Sequence, residues 1–216
     1  MKKLILLTAI AFFISGNVNA QDDATDHRED FHFGLKIGTN YSNVYDTEGE
    51  NFNADAKLGL AMGAFLTLPL GKYFGIQPEF LYSQKGFRAT GTLLGGPYSF
   101  TRTTSHIDVP FFLAIKPIES LTLLIGPQYS YLISQKDEYR DNLITTAQET
   151  EFENDDIRKN MLCFGIGVDL NIKNVVLGAR SNWDVQKNNG DGTSTTPRYK
   201  NVWYQFTFGY RFTNKQ

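Results

Sequence analysis

Ser105, His106 and Asp108 fall within one four-residue stretch, and a serine, a histidine and a carboxylate are the parts of a hydrolytic relay. The relay works only where hydroxyl, imidazole and carboxylate converge within hydrogen-bond reach. On an extended chain, neighbours point to opposite faces, so Ser105 and His106 stand on opposite sides of any strand that carries them. His106 and Asp108 share a face, where an ordinary buried hydrogen bond is the expected role. No catalytic residue is assigned on this pattern. A lipid hydrolase or acyltransferase is the alternative reading, not the leading one.

Other reactive groups are as sparse. His27 and His32 show no spacing with cysteine or paired carboxylates that would hold zinc. Cys163 is the sole cysteine, so no internal disulfide forms, and the alternation around it predicts a small buried thiol. Residues 135–160 carry Asp137, Glu138, Asp141, Glu149, Glu151, Glu153, Asp155 and Asp156. Carboxylates so clustered are able to hold Ca²⁺ or to bridge to lipopolysaccharide through divalent ions. The stretch lacks the alternating ligands and central glycine of an EF-hand loop, however, and a solvated loop is expected. No metal site and no cofactor site is assigned.

These residues sit in a chain dominated by a period of two. Eight segments, 31–41, 57–68, 74–85, 105–116, 121–134, 161–172, 175–184 and 201–212, alternate between an apolar face and a face of glycine, charge or amide. In the last of them Val202, Tyr204, Phe206, Phe208, Tyr210 and Phe212 point one way, while Trp203, Gln205, Thr207, Gly209 and Arg211 point the other. Ten glycines, among them Gly34, Gly63, Gly165, Gly167 and Gly209, fall on the polar faces and none on the apolar ones. Glycine weakens a strand, so a water-washed face has no reason to collect it. The inside of a narrow cylinder has one, because charged side chains leave little room there. The polar face therefore looks inward, and the apolar face looks out at lipid.

The connections agree. Residues 69–73, 117–120 and 173–174 are tight turns, whereas 42–56, 86–104, 135–160 and 185–200 are long. Outer-membrane barrels have this asymmetry, with short periplasmic turns and long extracellular loops. Tyr41, Tyr82, Tyr131, Trp183 and Tyr204 fall at the loop ends of their strands, and Phe33, Phe74, Tyr210 and Phe212 at the turn ends, as two interfacial girdles require. The sequence thus predicts an all-β, eight-stranded, antiparallel up-and-down transmembrane β-barrel. Its inward charges are Lys36, Lys57, Glu79, Lys85, Asp108, Lys116, Asp169, Arg180, Asp184 and Arg211, of both signs in comparable number. They are expected to pair into a self-neutralising filling, since an ion path would show one dominant sign.

Residues 1–20 read as a secretory signal: Lys2 and Lys3, an apolar core from Leu4 to Ile14, and a small-residue cleavage site at Ala20. Residues 21–30 form an acidic, flexible periplasmic leader, and 31–216 the barrel domain. Without Lys2 and Lys3 the remaining 19 Lys+Arg face 23 Asp+Glu, a formal charge of −4, which argues against a nucleic-acid partner. Gram-negative outer-membrane lipid and lipopolysaccharide are the expected surroundings, and the barrel is expected to be monomeric.

Pro78, Pro110 and Pro127 lie inside strands, where proline removes a ladder donor, and they are expected to mark bulges. The run Phe74-Gly75-Ile76-Gln77-Pro78-Glu79-Phe80-Leu81-Tyr82-Ser83-Gln84-Lys85-Gly86 resembles the Bacteroidetes outer-membrane β-barrel family called PorT-like, a porin-family group. Ile107-Asp108-Val109-Pro110-Phe111-Phe112-Leu113, Gly126-Pro127-Gln128-Tyr129 and the closing Gly209-Tyr210-Arg211-Phe212 carry the same resemblance. It implies an eight-stranded outer-membrane barrel and no particular activity. The leading expectation is a non-enzymatic scaffold, binding protein or envelope-assembly accessory, with a possible envelope protein as partner. A lipid-modifying enzyme and a small-solute pore are the alternatives.

Overall fold

The computed structural model describes residues 26–46, 54–93, 96–141, 145–150, 159–185 and 199–212. The secretory signal, residues 21–25, the turn-rich stretch 188–192 and Glu151, Glu153, Asp155 and Asp156 lie outside them, as do the side chains of Asp141 and Glu149. A short 3-10 turn, His27–Glu29, precedes nine strands: β1 His32–Asp46, β2 Ala54–Pro69, β3 Phe74–Leu93, β4 Gly96–Ile118, β5 Leu121–Asp141, β6 Thr145–Thr150, β7 Asn160–Ile172, β8 Val175–Asp184 and β9 Tyr199–Phe212. Their order, β4-β3-β2-β1-β9-β8-β7-β5-β6 with a further β4–β5 pairing, closes eight of them into a ring. Every pairing in the ring is antiparallel. β6 pairs with β5 alone and forms a hairpin beyond the ring.

The barrel is inside out relative to a water-soluble protein. Ile37 and Phe208, opposite one another on β1 and β9, are both 54 % exposed, while Lys85 and Asp108 are 1 % and 0 % exposed. Leu113, Ile125, Ile166 and Leu177 continue the exposed apolar belt around the ring. The girdle residues Tyr41, Tyr131, Tyr204, Phe33, Phe74, Tyr210 and Phe212 are exposed on the same outer surface. At the turn end Phe33 stacks on Phe212 with ring centroids 5.7 Å apart.

Two expectations need correction. Residues 86–104 and much of 135–160 are strand, not loop: β3 and β4 pair out to Leu93↔Gly96, and β5 runs to Asp141 before β6 returns along it. Past Lys85 the inner face turns apolar, with Phe87 and Ala89 buried between exposed Arg88 and Thr90, so the apolar-outward alternation that marks the membrane segment ends. The β-branched Thr90, Thr92, Thr101, Thr103 and Thr104 still favour extended pairing. Nor do the prolines mark bulges. Across Pro78 the β2–β3 ladder skips from Phe65↔Glu79 to Leu68↔Ile76 without changing register, and β4–β5 does the same past Pro110 and Pro127, from Pro110↔Gln128 to Leu113↔Ile125. A missing N–H removes a rung, but a one-residue slip would turn a whole strand inside out, so the register holds. The register shifts lie instead at Ala56/Ala61, Ser105/His106 and Ile115/Ile118.

Ile37 lies midway between the two girdles. Ile37→Arg is expected to lower stability in lipid vesicles by about 2–4 kcal/mol, the cost of a cation at the bilayer midplane. Denaturant unfolding from vesicles measures it, and an unchanged midpoint would place this face out of the hydrocarbon.

Candidate functional site

The chemistry-bearing side chains converge inside the barrel and at its two mouths. In the middle of the lumen, β1, β3, β7 and β8 each contribute one charge. Lys36 Nζ lies 2.5 Å from Glu79 Oε2, and Arg180 Nη2 lies 3.3 Å from Glu79 Oε1. Arg180 also donates to both oxygens of Asp169, Nη1 to Oδ1 at 2.6 Å and Nη2 to Oδ2 at 3.0 Å. Gln77 ties the two acids together, its Nε2 donating to Glu79 Oε1 at 3.0 Å and to Asp169 Oδ2 at 3.1 Å. Two cations face two anions. Charges this deep are held only by good geometry and extra hydrogen bonds, and the quartet has both. Rings shield it on either side: Lys36 lies 5.2 Å from the Phe65 centroid and Arg180 5.7 Å from that of Phe112.

A second group sits towards the loop end. Lys85 Nζ donates to Asp108 Oδ1 at 2.9 Å and stands 3.8 Å over the Trp203 ring. Ser130 Oγ donates to the same carboxylate oxygen at 2.5 Å. Asp184 is fully buried, and Cys163 is a free buried thiol with Sγ 3.8 Å from Ser130 Oγ. Beyond this layer Phe87, Val44 and Ala89 cluster, with Phe100 against them. Arg102 caps the cluster, with its guanidinium 5.4 Å from the Phe100 centroid and its Nε and Nη2 each 2.8 Å from Asp137. The lumen is a packed interior.

Eight of the ten predicted inward charges are buried in this interior, while Lys57 and Arg211 are half-buried towards opposite mouths. Arg211 Nη2 donates to Lys173 O at 2.6 Å in the β7–β8 turn. The Ser105–His106–Asp108 stretch does not assemble a relay. Ser105 Oγ meets Tyr82 OH on the outer face, 3.0 Å away, and Gln84 Nε2 donates to the same tyrosine at 3.1 Å. His106 is buried on the inner face with no hydrogen-bond partner at Nδ1. Asp108 serves Lys85 and Ser130, not His106 as the sequence suggests, because a buried carboxylate gains more from a cation than from an imidazole. Among the described residues no His, Cys, Asp or Glu cluster could hold a metal ion.

At the turn end the structure adds residues that the pattern in the sequence does not single out. Of the leader predicted to be flexible, residues 26–30 are bound. Arg28 Nη1 donates to Pro117 O at 3.0 Å and to Lys116 O at 3.4 Å, and Lys116 Nζ returns a hydrogen bond to Arg28 O. The guanidinium lies 5.1 Å over the Tyr73 ring. Asp26 Oδ2 takes Arg28 Nη2 at 2.6 Å and Lys72 Nζ at 3.0 Å. His32 Nε2 contacts His27 O at 3.3 Å. Low hydrophobicity suggests a loose leader, but carbonyls at the β4–β5 turn supply the acceptors that Arg28 needs.

A profile of the outer membrane protein beta-barrel domain family matches residues 19–188. The chain belongs to that family. The outer membrane is accordingly where this barrel sits, with its tight turns periplasmic and its long strand extensions extracellular. Similar solved structures include Ail, the attachment invasion locus protein of Yersinia pestis, with the heparin analogue sucrose octasulfate, at 16 % identity, 84 % of this chain, 99 % of that one and TM-score 0.47. Neisserial surface protein A is 10 % identical over 83 % of this chain and 97 % of that one, TM-score 0.42. OprG from Pseudomonas aeruginosa is 12 % identical over 84 % and 95 %, TM-score 0.37. These are likenesses to the eight-stranded fold. No curated protein sequence matches the chain.

Two outcomes follow from the geometry. Arg180→Met leaves Glu79 and Asp169 short of a cation and is expected to cost about 3–5 kcal/mol, read by denaturant unfolding. At the periplasmic mouth, the Arg28 guanidinium and the Lys72 ammonium hold the Asp26 carboxyl well below the usual carboxylate range. A depressed folded value means that the contact is fully present above about pH 4, the unfolded value, and is lost as pH falls towards the folded one. Hydrogen exchange at the Asp30 amide should stay protected at about pH 4 and weaken only in stronger acid, whereas Asp26→Asn should remove that acid dependence.

Proposed function

We propose that the chain is a non-enzymatic outer-membrane scaffold that binds envelope or external partners, or assists an envelope assembly, through the sheet it raises above the membrane. The observation that carries this reading is the contrast between the two ends. Strands β3, β4 and β5 run well past the tyrosine girdle and, with β6, make a four-stranded sheet outside the bilayer. Among the described residues the lumen beneath is filled by the ion quartet and its aromatic neighbours, which supports a closed interior over a solute path. Loops on a rigid scaffold are where binding commonly resides, and a ladder-bonded sheet holds its side chains in fixed register.

The proposal includes a secretory signal removed near Ala20, an acidic leader to residue 30 and a monomeric barrel domain over 31–216, surrounded by outer-membrane lipid and lipopolysaccharide and having no nucleic-acid partner. Within the family, the proline-bearing runs around Pro78, Pro110 and Pro127 favour the PorT-like kind known from Bacteroidetes. No residue is assigned to catalysis, cofactor binding or metal binding. Separation of Ser105 from His106 by the thickness of the wall supports that assignment.

A photo-crosslinking residue at Thr103, on the extracellular sheet, is expected to capture one defined protein partner in intact cells, and the same residue at Phe206 only lipid. Lipid alone at both positions would overturn the scaffold reading. In parallel, Ser105→Ala and His106→Ala should leave lipid A and phospholipid turnover unchanged, and planar bilayers should show no stable channels. Lost turnover would establish the enzyme, and steady conductance the pore.

A further inference from the structure

The periplasmic mouth is roofed by the chain's own N-terminal segment. Beneath it lies a cavity of about 20 Å³, enough for about one water molecule. Every strand of the ring contributes to its walls, including Gln77 of β3, Thr122 of β5, Asp169 of β7 and Val176 of β8, and the roof is His27 and Arg28. Gln77 and Asp169 are also members of the ion network at the centre of the barrel. The roof leaves the start of β1 and is tied to two neighbouring turns, themselves joined by Lys116 N donating to Tyr73 O at 2.8 Å: to the β4–β5 turn through Lys116 and Pro117, and to the β2–β3 turn through Tyr73 and Lys72. A tail that merely rested on the rim would need neither attachment.

We propose that residues 26–32 are a strap which seals the periplasmic mouth, with Arg28 as its clasp, and so keeps bulk water from the Gln77–Asp169 end of the lumen. A buried ion pair gains most in a low-dielectric, water-poor setting, and the quartet is open to the periplasm in the direction of Asp169 once the roof is lifted. Arg28 suits the task because its planar fork reaches two carbonyls and one carboxylate at once and its face stacks on Tyr73. The strap makes no use of the extracellular sheet, so it stands or falls independently of the scaffold reading.

Val176→Cys places a thiol of similar size in the cavity wall, and native Cys163, deep in the other half of the lumen, is the internal control. Full-length protein in detergent is treated with a charged methanethiosulfonate, and peptide mass mapping follows each thiol separately. With Arg28 present, Cys at 176 should react slowly. Adding Arg28→Ala should speed it at least about tenfold while Cys163 stays unreactive, since labelling follows the population of the open state. Fast labelling with Arg28 in place would overturn the seal, and so would an unchanged rate on its removal. Acceleration at both thiols would show general loosening of the barrel and would also overturn the strap. If Val176→Cys fails to fold, judged by loss of heat-modifiable migration, Thr122→Cys on β5, two strands round the same wall, gives the same reading.

Discussion

A backbone in hydrocarbon has no water to bond with, and every N–H and C=O must find a partner in the protein. The closure of this sheet upon itself follows from that constraint, and most other features follow from the closure. Eight strands enclose a cylinder barely wider than the side chains it holds. The inward glycines then become a packing requirement. A β-carbon on Gly34 would come within 2.4 Å of the Phe65 ring, and one on Gly167 within 2.4 Å of Arg180 Cδ. At Gly165 it would meet Asn182 Oδ1 at 2.3 Å. Large and absent side chains alternate because there is room for only one of each pair.

A filling of charges has a second consequence. An apolar interior beneath an apolar exterior would give every strand two equivalent faces, and a slip of one residue would then carry little penalty. With Lys36, Glu79, Asp169 and Arg180 committed to the inside, a slipped strand would send an unpaired charge into lipid. The quartet thus contributes more to register than its pairwise attraction contributes to stability, which desolvation largely offsets. Asp108 of β4, held by Lys85 of β3 and Ser130 of β5, pins in the same way the three adjacent strands on which Pro78, Pro110 and Pro127 sit at neighbouring heights.

What could be read from the residues follows the same division. Between the girdles, burial on one face imposes strict alternation, so Lys85 and Asp108 are legible as inward and Ile37 and Phe208 as outward before any coordinates are known. Outside the bilayer that contrast reverses, with Phe87 and Ala89 inward and Arg88 and Thr90 outward. Strands continue through Thr90 and Thr103 where alternation alone suggests loops, and β6 leaves no periodic trace at all. Which opposite charges meet was not legible either, because the pairing of Glu79 with Arg180 spans 101 positions and depends on how the ring closes. The grip of Arg28 on the carbonyls of Lys116 and Pro117 is invisible for another reason: a backbone acceptor has no side-chain signature.

β4 covers 23 residues, from the hairpin tip at Gly96 to Ile118. At about 3.3 Å per residue it extends about 75 Å, some three times the height of the apolar band. Its outer end lies in the sheet that faces the surroundings of the cell, and its inner end carries the carbonyls that Arg28 holds. A single covalent rod therefore joins the two aqueous sides of the envelope. Any tension applied at the exterior tip is borne by the same strand to which the periplasmic segment is fastened.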